Sequence, residues 1–592
     1  MPRKLLTGLT ALVLLLIAPW TALPPAAGQL QFVDKNEGEP RFRPAPVQPP
    51  VAIPAPQVQP QIQPLGQPQR LPQIDLGGGA GRSPEIDDLL VRGERLEGER
   101  RWGEALSLYE EGLRSHPKDL HLEQHFALSR MHYDLGRRYN DSSFRDSLRT
   151  LSLIDALDLY GEVLTKINSH YVHAPNWDVI TDFGIRSFEA ALNDPVFVER
   201  NLTGVPQAQI ERFLRELRPQ LAMRNPDRRV DSRQEARDLA MVAAQLANRQ
   251  LGLSEPAVVL EFVSGATTSL DPYSTYLTAG QLNEVYSQIE GNFVGLGVEL
   301  KATEGALQIV KVITGSPAER GGVHAGDRII AVDGRRTSEM STDQAANMLQ
   351  GKEGTTVEVT AIAPGQESRT LRIRREQIEV PSIDGARIVD RTYGVAYLKL
   401  TCFQKTTSRD LDAALWKLHG DGMRSLIIDL RGNPGGLLTT SVDVADKFVE
   451  KGTIVSTRGR SPQEDYNYTA HPAGTWRVPL VVLIDGESAS ASEIFAGAIR
   501  DHGRGTIVGT RSYGKGSVQG IFPLNLANSG LRLTTAKFYS PQGRAYSQVG
   551  VEPDLLVQQT AKPADGGELV AGASDPVLDA GLREARRQTA RR

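Results

Sequence analysis

Val478-Pro-Leu-Val-Val-Leu-Ile-Asp-Gly-Glu-Ser-Ala-Ser-Ala-Ser-Glu493 decides how the rest of the chain is read. Its apolar first half, ending at Ile484, has the length and β-branched content of a buried strand. Small residues then carry the chain into a helix-like run containing Glu493, Ile494 and Gly497. A strand-to-helix turn exposes backbone N–H groups, and three serines, Ser488, Ser490 and Ser492, stand on it. A serine hydroxyl becomes a nucleophile only when a neighbouring base removes its proton. His502, in the charged run Arg500-Asp-His-Gly503, has the setting of a helix-end surface residue. Lys515, in Ser512-Tyr-Gly-Lys-Gly-Ser-Val-Gln519, is the better base, and serine–lysine pairs are a known variant of acyl-transfer chemistry. The local chemistry points to a hydrolase without choosing among the three serines.

A lysine serves as a base near neutral pH only when burial penalises its charged form. Gly514 and Gly516 let the backbone pass close to a substrate, with Tyr513 and Val518 as a dry wall. Gln519 offers a carbonyl to the amine without adding a charge.

These segments resemble the carboxyl-terminal processing peptidases, or tail-specific proteases, and further matches occur in the family's order. Leu270-Asp-Pro-Tyr-Ser-Thr-Tyr-Leu277 looks like an opening segment, and Phe293-Val-Gly-Leu-Gly-Val298 looks like the start of a PDZ domain. Leu430-Arg-Gly-Asn-Pro-Gly-Gly-Leu437 and Val549-Gly-Val-Glu-Pro-Asp554 complete the set, which spans roughly Leu151 to Leu582. The resemblance implies Ser490 as nucleophile, Lys515 as general base and Gln519 as the residue orienting it. Gly436 and the N–H of Ala491 are implied as oxyanion donors. Two positions depart from the pattern: Glu487 replaces a usual glycine and Asp485 an asparagine-like residue. A carboxylate near Lys515 raises that lysine's pKa, so Glu487 is expected to tune the activity.

Outside the site, the chain reads as a multidomain α/β protein with a mostly parallel-sheet serine protease core, an inserted PDZ-like β-rich domain and an all-helical amino-terminal region. The expected boundaries are a signal segment over 1–28, a Pro/Gln-rich linker over 29–85 and a tetratricopeptide-like region over 86–150. A helical part of the protease comes next over 151–284, then a PDZ domain over 285–380, the core over 381–560 and a carboxyl-terminal helix with a frayed basic tail over 561–592. Arg3 and Lys4 before the apolar run Leu5 to Ala18 mark an export signal, short for a membrane span. Export to the periplasm or another extracytoplasmic space is expected, with membrane contact only if the segment stays uncleaved. Gly93, Trp102, Ala105, Tyr109, Leu113 and Pro117 fall near tetratricopeptide positions, suited to a structural cap or to docking an adaptor protein. A PDZ domain adds an extended peptide as a strand and holds its terminal carboxylate in a loop. Phe293, Val294, Gly295, Leu296 and Gly297 form the candidate loop, so substrates are expected to be proteins or peptides held by their carboxyl ends. Five strands are read in the core: Tyr393 to Leu400, Ser425 to Leu430, Val478 to Ile484, Gly505 to Gly509 and Leu531 to Phe538.

Other function classes fare worse. A net charge of −4 without basic patches gives no case for nucleic acid. The single cysteine, Cys402, excludes an intrachain disulfide and reads as an inert core residue. His121 and His125 have metal-ligand spacing, but the residues between them do not place a glutamate as a zinc-protease motif does and no cysteine accompanies them, so neither metal nor cofactor is expected. Gly509-Thr-Arg-Ser-Tyr-Gly-Lys515 resembles a P-loop, yet Gly516 replaces the magnesium-binding hydroxyl and the run from Ser517 to Pro523 reads as a strand or loop, not a helix. The remaining alternative is an inert secreted scaffold built on the PDZ-like and helical modules.

Overall fold

The structure is a computed structural model that describes residues 83–224, 229–303, 306–339, 345, 348–558 and 575–591, plus the backbone of two short strands at Leu12–Val13 and Gln29–Phe32. The expected signal segment and linker otherwise lie outside the described residues, as does the expected domain junction at 561.

The amino-terminal helices are α1 (Pro84–Gly98), α2 (Trp102–Ser115) and α3 (Leu120–Asn140). Ser83 and Asp119 cap α1 and α3 with side-chain acceptors, and Pro84 occupies the first turn where no N–H is needed. Gly93 lets α2 approach, since a Cβ there would lie 2.2 Å from the Tyr109 ring. The hairpin buries Leu90, Ala105, Leu106, Tyr109 and Leu122. α3 then runs into the protease: Arg138 pairs with the buried Glu261 at 2.8 Å, and Arg130 donates to the carbonyls of Asp271 and Ser274. Glu261 belongs to Glu255–Thr268, a helix buried on every side among Leu153–His170, Trp177–Leu192 and Arg233–Leu251.

The PDZ-like module is an antiparallel sheet around Leu300, Ile309, Ile329, Val357 and Val359. Val298–Thr303 pairs with Ala306–Val312 on one side, and Leu12–Val13 pairs with its other edge. Asn292–Gly295 pairs with Glu376–Glu379, with Phe293 opposite Ile378, closing the module where it leaves the protease.

The core sheet runs Ile383–Asp390, Val395–Leu400, Ser425–Asp429, Leu480–Ile484, Thr506–Gly509 and Leu555–Leu556; all neighbours are parallel except the first pair. Leu480–Ile484 is apolar throughout because both of its faces are covered. The helix Ala491–Asp501 packs on one face, and Pro576–Ala590 covers the other with Val577, Ala580 and Ala585.

Two expectations are corrected. Leu531–Phe538 lies in a second, mostly antiparallel sheet as part of Gly530–Tyr539, paired antiparallel with Ser517–Pro523 and Gly452–Gly459. The link from Pro523 to Gly530 is a hairpin, and a parallel neighbour would need a crossover of a dozen or more residues. The carboxyl-terminal helix continues to Ala590 instead of fraying, because Arg586 pairs with Asp390 and Glu584 accepts from Arg587, Gln588 and Thr506.

Candidate active site

Two loops from neighbouring strands of the core sheet meet at Ser490. Leu480–Ile484 ends in a turn organised by Asp485, whose carboxylate accepts from the N–H groups of Gly432, Glu487 and Ser488. The chain then reaches Ser490 at φ +58°, ψ −113°, a strained backbone for a non-glycine residue. This turn separates the three serines. Ser488 donates to the Leu430 carbonyl at 2.9 Å and Ser492 to the Asn433 carbonyl at 2.9 Å. The buried Ser490 hydroxyl has no hydrogen-bond partner among the described residues.

The facing loop is Asn433–Gly436. The Asn433 carbonyl accepts from Ala489 N–H at 3.0 Å, so the two loops are stitched backbone to backbone. Gly435 has room for no side chain: a Cβ would lie 2.8 Å from Ser490 Cβ and 2.9 Å from Ala491 N. Gly436, at φ +144°, bridges Phe403 through the Gly435 carbonyl and the Leu437 N–H, a pairing that leaves its own N–H out. Ala491 opens the helix, where N–H groups lack intrahelical acceptors.

Lys515 comes from the loop ahead of Ser517–Pro523 in the second sheet and is fully buried. A glutamate joins it to the serine turn. Glu493 accepts from Ser490 N–H and Lys515 N–H at 2.8 Å each, and from Gly514 N–H and Ser512 Oγ at 2.6 Å each. Burial outweighs these donors and pushes the Glu493 carboxyl above the usual range. Sequence reasoning missed this clasp, although Ser490-Ala-Ser-Glu493 has the Ser-x-x-Glu spacing of a capping box.

Burial, reinforced by Arg532, pulls the Lys515 pKa well below the ordinary lysine range, against Asp271, Glu110 and Glu493. Glu487, expected to tune this lysine, is exposed and is not among those charges. Lys515 Nζ lies 4.4 Å from the centre of the Tyr273 ring. Tyr273 belongs to the 270–277 segment, a turn in which Asp271 accepts from Tyr273 and Ser274 N–H and Arg532 donates to the Tyr273 carbonyl. Tyr273 therefore supplies an aromatic wall beside the amine. The expected Gln519–Lys515 hydrogen bond is not made. Gln519 donates its amide to Ser517 Oγ and Thr534 Oγ1, and its carbonyl oxygen has no partner among the described residues.

The remaining candidates fall elsewhere. Phe293 and Leu296 are buried in the PDZ-like module, and Phe293 and Val294 lie in a paired strand. Gly295 ends that paired strand, so the unpaired part of the candidate loop narrows to Leu296–Gly297, where a Gly297 Cβ would strike Ser316. Cys402 is only half-buried rather than core, with its thiol pushed up to about 11 by desolvation. His502 caps the helix end and contacts the Thr453 carbonyl, while His125 binds Glu97. Lys515 precedes a strand, not the helix a phosphate-binding loop requires.

The model of peptidase family S41 matches residues 394–557, and a PDZ domain model matches 308–363. A carboxy-terminal-processing protease of Bartonella bacilliformis is 39% identical over 303 residues, covering 50% of this chain and 69% of that protein. A "Probable CtpA-like serine protease" of Staphylococcus haemolyticus is 32% identical over 289 residues, covering 48% of this chain and 57% of the relative. Among solved structures, a photosystem II D1 C-terminal processing protease aligns over 73% of this chain and 96% of its own, at 25% identity and a TM-score of 0.35. The chain belongs to peptidase family S41, as a carboxy-terminal-processing serine protease with a PDZ domain.

Proposed function

We propose that this protein is an exported endopeptidase that takes protein substrates by their carboxyl-terminal tails and cleaves them with Ser490 as nucleophile and Lys515 as general base. The observation that carries the reading is the joint placement of a serine with an uncommitted hydroxyl and a buried lysine of depressed pKa, both anchored through their backbones to Glu493. Neutral Lys515 takes the Ser490 proton as Oγ attacks the peptide carbonyl. Gly436 and Ala491 N–H groups stabilise the oxyanion. The Lys515 ammonium then protonates the departing amine, leaving an acyl-enzyme that water hydrolyses by the same steps. The Gln519 carbonyl turns towards the amine when the dyad closes, since catalytic hydrogen bonds tighten in the substrate complex.

Gly297 at the entry to Val298–Thr303 suits carboxylate capture, with the tail adding as a strand in place of Leu12–Val13, which occupies that edge. Export rests on the Arg3-Lys4 and Leu5–Ala18 pattern. No helix of the described residues is long and apolar enough to cross a membrane.

The test is cleavage of unstructured peptides by the wild-type protein beside Ser490→Ala. Products from the former and none from the latter are expected; equal products from both would remove Ser490 as nucleophile. Amidating the carboxyl terminus of a cleaved peptide is expected to lower kcat/KM about tenfold, the worth of one charge-assisted hydrogen bond. Equal rates for both forms would exclude tail capture through the carboxylate.

A further inference from the structure

The amino-terminal hairpin reaches the catalytic lysine. Glu110 on α2 accepts a hydrogen bond from the Tyr513 hydroxyl, across 403 positions of sequence. One turn later, the Arg114 guanidinium lies 4.1 Å over the Tyr513 ring and 3.5 Å from Glu110. Tyr513 sits two residues before Lys515, and its N–H donates to the Ser488 carbonyl, so the same residue touches the hairpin and the serine turn. Tyr513 also interacts through its hydroxyl with Tyr273, whose ring lies beneath the Lys515 amine. The hairpin itself is held in place, because α3 is fixed to the protease through Arg138–Glu261 and through Arg130 on the Tyr273 turn.

We propose that Glu110 and Arg114 are positioning residues for Lys515, acting through Tyr513 and Tyr273. The hairpin is then part of the catalytic apparatus. This proposal rests on Lys515 being the base. Arg114 and Glu110 grip the Tyr513 ring and hydroxyl from outside, which fixes the loop that delivers Lys515. Glu110 also acts by charge: with Asp271 and Glu493 it favours the ammonium, opposed by Arg532. A partner that displaced α2 would change both effects at once.

The experiment compares Glu110→Gln, Tyr513→Phe and the double variant in the full chain, reading the pH profile of kcat/KM and thermal melting. The acid limb of that profile reports the free enzyme's base. Glu110→Gln removes a negative charge near Lys515, so the amine loses its proton more readily. The limb should move to lower pH by about half a unit or more, the scale for a charge several ångströms away at an effective dielectric of about 20 or above. Tyr513→Phe should lower kcat about threefold to tenfold with little change in KM. The double variant should cost less than the product of the singles. A Glu110→Gln limb that stays in place, with or without altered melting, while Lys515→Ala is inactive, would reduce Glu110 to a structural contact and overturn the proposal. An active Lys515→Ala would instead overturn the dyad beneath it.

Discussion

Lys515→Ala should lower kcat at least about a thousandfold while leaving tail-peptide binding by the PDZ-like module unchanged. Positioned general bases contribute about 10²- to 10⁴-fold, and no other described titratable side chain is placed to take over. His502, the nearest histidine in sequence, is committed to the Thr453 carbonyl at the far end of the Ser490 helix. Because serine and base act as one unit, adding Ser490→Ala to Lys515→Ala should cost little more. Single-turnover cleavage and fluorescence binding of the same tailed peptide separate the two effects. Residual turnover within tenfold of wild type would remove Lys515 as the base.

Stability should move the other way. The folded protein holds the lysine pKa well below its unfolded value of about 10.4, so the folded state binds fewer protons between those two values. Stability therefore rises with pH across that window, and at neutral pH the buried amine is a burden. Lys515→Met, which keeps the volume and removes the amine, should melt higher than wild type at pH 7, with the gap closing as pH approaches 10. A lower melting temperature at pH 7 would contradict the depressed pKa.

What could be read from the sequence was local. Ser490 and Lys515 lie in short segments whose strand, turn and glycine signals are dictated by neighbours within ten residues. The apolar runs at Val395, Ser425 and Leu480 announce buried parallel strands because both faces are covered. Long-range pairing was not legible in the same way. Leu531–Phe538 looks like any other buried strand, and only the short link back to Pro523 reveals an antiparallel partner. Nothing around Glu110 marks it as a neighbour of Tyr513, since its i, i+4 partner Arg114 gives it an ordinary surface-helix appearance. Tyr273 likewise becomes a wall for Lys515 only when Arg130 and Arg532 hold its turn from two other elements. The run carrying Gln519 reads as a strand or loop and forms a strand, but the hydrogen bonds of Gln519 depend on Thr534 across the sheet.

Glu493 carries the second large effect. Four donors converge on its two carboxylate oxygens, all buried, and three of them are the backbone N–H groups of Ser490, Gly514 and Lys515. A carboxylate is acceptor-only and suits such a set, whereas an amide of the same shape is not. In Glu493→Gln, the amide NH2 must face two of the donors, leaving both without acceptors. At about 1–3 kcal/mol for each buried unsatisfied group, the variant should lose roughly 2–6 kcal/mol of stability. The loss in activity should be larger than folding alone explains. Ser490 is held at φ +58° by this carboxylate, and relaxing that turn moves the hydroxyl away from the lysine loop that the same carboxylate secures. At a temperature where Glu493→Gln remains folded, kcat should fall a hundredfold or more, with the affinity for a tail peptide intact because the PDZ-like module has its own core. Melting curves, kcat and peptide binding measured on one preparation decide the matter. A variant that melts normally and turns over within threefold of wild type would show that the serine turn and the lysine loop keep their geometry without the clasp.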